Sequence, residues 1–307
     1  MRVHVRVPAT SANLGPGFDV LGLALALHNE LTLEEAERTL VSIEGEGVGA
    51  LETGTENIVA RAARLAFEAA GRRFHGVAAR SVNRIPLSRG LGSSAAAWVA
   101  GLVGANALLG SPLARGDLLT LAARAEGHPD NVAAALHGGF TVSCMSSDRA
   151  LAVPVAVPEA LSWVVLVPKL EGRTAETRAA LPPWVSRADA VWNLQRTSLL
   201  IAALAAGRIE LLLTAMDDRL HQPYRLAFFP WMERVAAAAR SAGALGCVLS
   251  GAGPSLLAVA EGDASEVGAA MESALRIEGQ DGRALPLAVD TEGAVARAER
   301  GEGSRLT

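Results

Sequence analysis

The stretch PLSRGLGSSAAAWVAG, Pro86 to Gly101, decides how the rest of the chain is read. Gly90 and Gly92 precede Ser93 and Ser94, and an unbroken run of small and apolar residues follows from Ala95 to Ala105. That run predicts a buried core helix, since eleven residues are too few to span a bilayer. Glycines just before a helix let the backbone approach a ligand closely. The first-turn N–H groups and the positive end of the helix dipole favour an anion there. Ser93 or Ser94 is expected to cap the helix, and a serine hydroxyl at this point can also reach a phosphate-bound Mg²⁺. Taken alone, the same residues describe equally well a capped, close-packed helix start with no ligand.

Two other glycine motifs are excluded by what surrounds the loop. Gly90, Gly92 and Ala95 satisfy the dinucleotide pattern GxGxxA, which needs an acidic residue ending a second strand about 20 residues on. That region is PLARGDLLTLAARAEG, Pro112 to Gly127, which reads as helix. A P-loop needs a lysine inside its glycine loop. Of the 28 basic residues 27 are arginine, and the one lysine, Lys169, lies in VVLVPKLEGR, away from any such loop. Schiff-base chemistry is excluded on the same count, unless Lys169 itself carries it.

Composition narrows the class further. The 307 residues, half of them hydrophobic and a fifth charged, describe a globular chain of one large domain or two closely packed ones. A net charge of −4 and no Lys/Arg block give no footprint for nucleic acid. Cys144 and Cys247 form no CxxC or His/Cys cluster, so structural zinc and a disulfide framework are not expected and a reducing cytoplasm fits. The opening MRVHVRVPATSANLGPG has no apolar core of a secretory signal.

Working outward, Val3, Val5 and Val7 alternate with His4 and Arg6, and Leu21 to Leu33 keeps apolar residues at every second position, so both read as strands. The turn-rich TSANLGPGFD lies between them. Helices are expected over 57–70, 95–109, 116–126, 132–136, 174–180, 188–206, 233–241 and 266–275, with extended segments over 76–87, 163–167, 244–250, 255–260 and 285–290. Mixed strands first and helix–strand alternation later predict an α+β chain of two lobes, 1–155 and 156–307.

IPLSRGLGSSAAA resembles the phosphate loop of the GHMP kinases. VPATSANLGPGFDVLGLAL (Val7 to Leu25) is similar to that family's N-terminal motif, and LSGAGPSLLAV (Leu249 to Val259) to its C-terminal glycine motif, all in family order. Thr10 stands where mevalonate-type members carry a lysine. With EGHPDN (Glu126 to Asn131) and DRLHQPYR (Asp218 to Arg225), this version resembles the members acting on homoserine. Arg89 departs from the family, many members having a small residue there. The resemblance implies a ribosomal-protein-S5-like N-terminal lobe and a ferredoxin-like C-terminal lobe. It also implies ATP-dependent phosphorylation of the L-homoserine hydroxyl, a step toward threonine. A mevalonate-type alcohol kinase and a non-catalytic ATP-binding relative are the alternatives. The alanine- and leucine-rich helices would suit a homodimer.

By the same resemblance, Pro86, Leu87, Ser88, Arg89, Gly90, Leu91, Gly92, Ser93, Ser94, Ala95 and Ala96 wrap the ATP phosphates, and Ser94 and Glu126 hold Mg²⁺. Asn57 lines the adenine pocket or simply caps a helix. The substrate is a zwitterion. Its carboxylate calls for a planar guanidinium, assigned to Arg178 and Arg225, and its ammonium for acceptors at Asn13 and Asp19. His128 and Asn131 close the pocket, although local sequence explains Asp19 and His128 equally well as turn and helix caps. Ser94, Glu126 and Asn131 form the expected catalytic set. An asparagine cannot take a proton, and Asp130, next in sequence, is expected to point elsewhere, so catalysis is expected to rest on orientation and Mg²⁺. Gly251 and Gly253 are expected to be structural, and no aromatic cage is indicated.

Overall fold

A computed structural model describes residues 1–172 and 174–299 of the chain. The first part runs β1 (Arg2–Ala12), β2 (Leu21–Glu35), β3 (Leu40–Gly45), α1 (Ile58–Ala69), β4 (Val77–Asn83), α2 (Ser93–Leu108), α3 (Arg115–Glu126), α4 (Asp130–His137), β5 (Phe140–Ser146) and β6 (Arg149–Val155). The second runs β7 (Leu161–Pro168), α5 (Thr174–Ala179), α6 (Arg187–Ala206), α7 (Leu212–Ala215), α8 (Gln222–Arg225), α9 (Met232–Ser241), β8 (Gly246–Leu249), β9 (Leu256–Glu261), α10 (Ser265–Ile277), β10 (Gly282–Leu287) and β11 (Val295–Glu299).

The alternation at the N-terminus does what its period requires. Val3, Val5 and Val7 are buried while Arg2, His4 and Arg6 face solvent, so β1 has one wet and one dry side. β1 pairs antiparallel with β2 along its whole length, with a bulge between Pro8 and Ala9. The long β2 is shared: Leu21–Leu23 pairs with β5, and Glu30–Glu35 pairs with β4. Beyond Pro8, β1 is buried on both sides, which carries the chain from the sheet into the interior where Thr10 and Asn13 sit.

Helix α2 is the centre of the first lobe. Its small residues leave no polar face, and eleven of its sixteen residues are buried. Gly101 and Gly104 let it lie close: a Cβ on Gly101 would stand 2.6 Å from the Cβ of Ala62 in α1, and one on Gly104 3.2 Å from Val5 and Leu33. Such a helix is a fixed platform for whatever lies at its N-terminus.

The second lobe has the order β10-β7-β9-β8 with α9 and α10 packed on one face, the βαββαβ arrangement of a ferredoxin-like fold. The other face of β7, with Trp163, Val165 and Val167, joins the core of the first lobe. The architecture is the α+β, two-lobed one expected. Four strands were not expected from the sequence: β3, β5, β6 and β11. The last of these crosses back after β10 to pair antiparallel with β1, so the final strand belongs to the first sheet. Trp98, Trp163 and Trp231 are buried, and Trp192 is flanked by the guanidinium groups of Arg196 and Arg219.

Candidate active site

The loop from Pro86 to Gly92 ends where α2 begins, and its carbonyls are systematically turned into protein. The carbonyl of Leu87 accepts from Arg89 Nη1 (2.6 Å), and that of Ser88 from the Gly172 amide (2.7 Å). Those of Arg89, Gly90 and Leu91 accept from the Ser255 amide (3.3 Å), the Ser250 hydroxyl (2.6 Å) and the Thr10 amide (3.1 Å). Gly92 completes the series by accepting from Ala96 within the helix (2.8 Å). Among the described residues, the amide N–H groups of Arg89, Gly90, Leu91 and Gly92 donate to no protein acceptor. Acceptors are thus withdrawn from the cleft while donors and the helix dipole remain, which is the condition for holding an anion without lysine. Arg89 belongs to the strapping: Nε and Nη2 donate to the carbonyls of Pro168 (3.2 Å) and Lys169 (2.7 Å).

The two glycines serve a different purpose from the one expected. Both have positive φ, but the close approach they allow is to protein. A Cβ on Gly92 would lie 1.9 Å from Thr10 Oγ1, and one on Gly90 2.2 Å from the Ser250 carbonyl oxygen. The capping expectation is likewise corrected. Gly92 in the left-handed conformation is the N-cap, no side chain caps α2, and the Ser94 hydroxyl instead donates to Glu126 Oε2 (2.8 Å). Gly92→Ala is expected to destabilise the fold by more than the roughly 1–2 kcal/mol of a left-handed L-residue, because Thr10 must also move. A lowered denaturation midpoint together with weakened ATP binding would show it.

Asn13, Asp19, Pro86, Ser88, Arg89, Gly90, Leu91, Gly92, Ser93, Ser94, Glu126, His128, Asn131, Arg178 and Arg225 all line one cleft between the lobes. Leu87, Ala95 and Ala96 do not line it, and Ala95 and Ala96 are core residues of α2. Asn57 is outside it too. Its Oδ1 accepts from the Val59 amide (2.9 Å) and its Nδ2 donates to the Glu52 carbonyl (2.6 Å), so it caps α1. Asp130 does line the cleft, against expectation. Helix α4 starts at this residue, and its first turn presents Asp130 and Asn131 together. Phe18, Gly251 and Ala252 are further lining residues that the sequence reading did not name as ligands.

The charges are arranged in two groups. Near α2, Glu126 is half-buried, and burial above all pushes its carboxyl above the usual range despite the Ser94 hydrogen bond and the His128 charge. Burial by itself would lower the His128 imidazole. The hydrogen bond from Nδ1 to Asp130 (2.6 Å) and the negative charges of Asp130, Asp19 and Glu126 outweigh it, and the net shift is upward. Asn131 Oδ1 accepts from the Thr10 hydroxyl (2.7 Å), which fixes that amide. Among the described residues the close grouping of metal-ligating atoms is Asp19, His128 and Asp130, within 4.8 Å of one another; Glu126 is outside it.

On the far side stand two arginines. Arg178, from α5, is held by Asp19 through Nη1 and Nη2 and is nearly half exposed. Arg225, from α8, is 2% exposed, and among the described residues it is paired with no carboxylate. Burial chiefly, and then Arg178, lower its pKa to about 10, so it stays a cation at neutral pH. Both guanidinium groups lie over the ring of Phe18, at 5.3 and 5.7 Å. The serine–glycine turn Ser250–Ser255 between β8 and β9 supports both sides. It carries the Ser250 hydroxyl that holds Gly90, and its Gly251 carbonyl accepts from Asn13 Nδ2 (3.0 Å) and Arg225 Nη1 (3.1 Å).

Comparison with known proteins gives the family. Residues 57–139 match the family model of the GHMP kinases N terminal domain, and residues 200–277 that of the GHMP kinases C terminal. The chain is 46% identical to a homoserine kinase of Moorella thermoacetica, over 95% of this chain and 98% of that one. It is 51% identical to a homoserine kinase of Symbiobacterium thermophilum, over 95% and 94%. A crystal structure of homoserine kinase from Cytophaga hutchinsonii superposes with a TM-score of 0.88 at 32% identity, covering 96% of this chain and 97% of that one. The loop with its carbonyls turned away, the oxygen pair Ser94–Glu126 and these full-length similarities lead to one conclusion: the chain belongs to the homoserine kinase family of the GHMP kinases.

Proposed function

We propose that the protein transfers the γ-phosphoryl group of ATP to the side-chain hydroxyl of L-homoserine, giving O-phospho-L-homoserine and ADP. Arg225 carries the reading. A guanidinium buried to this degree without a carboxylate is costly unless an anion from outside completes it, and it faces the cleft that the phosphate-type loop also lines. A substrate with a carboxylate at one end and a hydroxyl at the other bridges these two sides.

Roles follow from position. The N–H groups of the loop and of the first turn of α2 receive the phosphates. Arg225 and Arg178 take the substrate carboxylate, and Asp19 with Asn13 takes the ammonium. In the structure Arg178 and Asp19 satisfy each other, and a zwitterion replaces that pair with two of the same sign and type. Ser94 and Glu126 form an all-oxygen pair that fits Mg²⁺, which takes few protein ligands beside phosphate oxygens. When bound, the ion supplies neutralisation of phosphate charge. Asn131, fixed by Thr10, and His128, fixed by Asp130, border the end where the hydroxyl lies. Oδ1 of Asp130 accepts from the His128 ring and the backbone N–H of Asn131 (2.6 Å each), which supports reading Asp130 as a group that orients its neighbours rather than as the base. Asp130→Asn losing turnover with homoserine binding intact would overturn that last point.

Release of ADP with a panel of alcohols tests the function: turnover is expected with L-homoserine. Turnover on mevalonate but not homoserine would overturn the substrate. ATP binding that ignores Mg²⁺, with no ADP formed from any alcohol, would favour a non-catalytic binding protein. Within the reading, Arg178→Ala is expected to raise the homoserine KM by less than truncation of Arg225, since an exposed pair is worth only about 0–1 kcal/mol. No helix among the described residues is long and apolar enough to cross a membrane. The proposed compartment is the cytoplasm, where the thiols of Cys144 and Cys247 stay free.

A further inference from the structure

Behind Arg225 stands a histidine with no role so far. His221 is fully buried, begins the turn into α8 and lies on the side of Arg225 away from the cleft. Its two ring nitrogens have opposite partners. Nε2 lies 2.8 Å from the carbonyl of Gly15, which can only accept, so Nε2 carries the hydrogen. Nδ1 lies 2.8 Å from Arg225 Nη1, which can only donate, so Nδ1 offers its lone pair. The imidazole is therefore neutral and of one tautomer. Burial first, and then the Arg225 charge, hold its pKa below the usual value.

The ring is itself held in place. Phe18 stacks on it at 5.4 Å with 27° between planes, and the same Phe18 ring carries both arginines. Asp218 fixes the backbone below, its carboxylate accepting from the amides of Leu220 (2.8 Å), His221 (3.0 Å) and Gln222 (2.7 Å) and from Asn193 Nδ2 (2.7 Å). With His221 and the Gly251 carbonyl both on Nη1, that corner of the guanidinium is saturated from behind. Among the described residues Nη2 has no acceptor.

We propose that His221 is a positioning residue: a neutral imidazole that orients the guanidinium of Arg225 toward the substrate carboxylate and ties it, through Gly15, to the N-terminal loop carrying Asn13 and Asp19. The two charged ends of the substrate are thereby registered against each other. This rests on the reading of Arg225 as the carboxylate receptor.

Two polar replacements separate the two nitrogens. His221→Asn can place an acceptor where Nδ1 stands, and His221→Gln can place a donor where Nε2 stands. His221→Gln is expected to raise the homoserine KM about tenfold, the size of one lost hydrogen bond to a charged group, with the ATP KM unchanged. His221→Asn is expected to restore most of that loss. Arg225→Met is measured in the same assay. If it leaves the homoserine KM unmoved, the carboxylate reading fails and the proposal with it. If Arg225→Met raises the homoserine KM but the two histidine variants behave alike, or if ATP and homoserine constants move together, His221 only fills space and the proposal is overturned. The KM for ATP and melting curves of both variants keep a folding defect distinguishable from a loss of registration.

Discussion

Glu126→Gln is expected to lose at least about 10²-fold in kcat while melting no lower than the parent protein. The amide keeps the volume of the side chain and an acceptor for the Ser94 hydroxyl, so what is removed is the charge. Burial raises the folded pKa of Glu126 above its unfolded value, so the folded state binds this proton more tightly. The stability that follows is present at low pH and is lost as pH rises through the carboxylate range. At neutral pH the ionised group is therefore a net cost to folding, and glutamine relieves it. Function gives the opposite sign, since on the proposed reading the carboxylate is the charged half of the oxygen pair that would hold Mg²⁺. Thermal melting in parallel with initial rates over a range of Mg²⁺ concentrations checks both halves. A variant with unchanged kcat, or one that melts well below the parent protein, would contradict the assignment.

Arg225→Met carries the second large effect, on substrate affinity. A charge-assisted pair is worth about 1.5–3 kcal/mol, which corresponds to about a 10- to 150-fold rise in the homoserine KM. The ATP KM should stay where it is, because the guanidinium's hydrogen bonds among the described residues go to Thr177, His221 and Gly251 and none to the loop. Methionine fills much of the same volume, and replacing a buried, unpaired cation by an apolar side chain is often neutral or stabilising. The loss of the donor to His221 Nδ1 and the Gly251 carbonyl works against that gain, so a melting temperature near the parental one is expected. Isothermal titration with homoserine and, separately, with ATP gives the split directly. Equal weakening of both would move Arg225 out of the substrate site.

What could be read in the chain was what short-range physics controls. The alternation of Val3, Val5 and Val7, the apolar run of α2 and the glycines before it are local patterns, and each led to the right element. Most cleft residues were legible as sets because motifs carried them together: Asn13 and Asp19 before β2, the loop before α2, Glu126, His128 and Asn131 in EGHPDN, and Arg225 in DRLHQPYR. Contacts that join remote segments were not legible. Val295–Glu299 alternates only small alanines with charges over a few residues, and nothing in it announces a partner at the opposite end of the chain. The sequence alone reserves Gly92 for a ligand, yet its lack of a side chain makes room for Thr10, which comes from β1. Sequence adjacency to Asn131 predicts that Asp130 points away, because adjacent residues diverge in a strand or an established helix. At a helix start the backbone is still turning, and both Asp130 and Asn131 reach the cleft. Phe18 lay inside a quoted motif between Gly17 and Asp19, and only the fold places two arginines and an imidazole around its ring.

The loop carbonyls bear on how the molecule can move. The loop belongs to the first lobe, but the donors to Ser88, Arg89 and Gly90 are Gly172, Ser255 and Ser250 of the second. Opening the lobes like a clamshell at this seam would break three hydrogen bonds at once, each worth about 0.5–1.5 kcal/mol net. The two lobes therefore act as one jaw fixed at its root. The exposed Arg178 of α5, fastened to Asp19, takes no part in those three bonds, and on the proposed reading that ion pair is the contact an arriving amino acid would exchange.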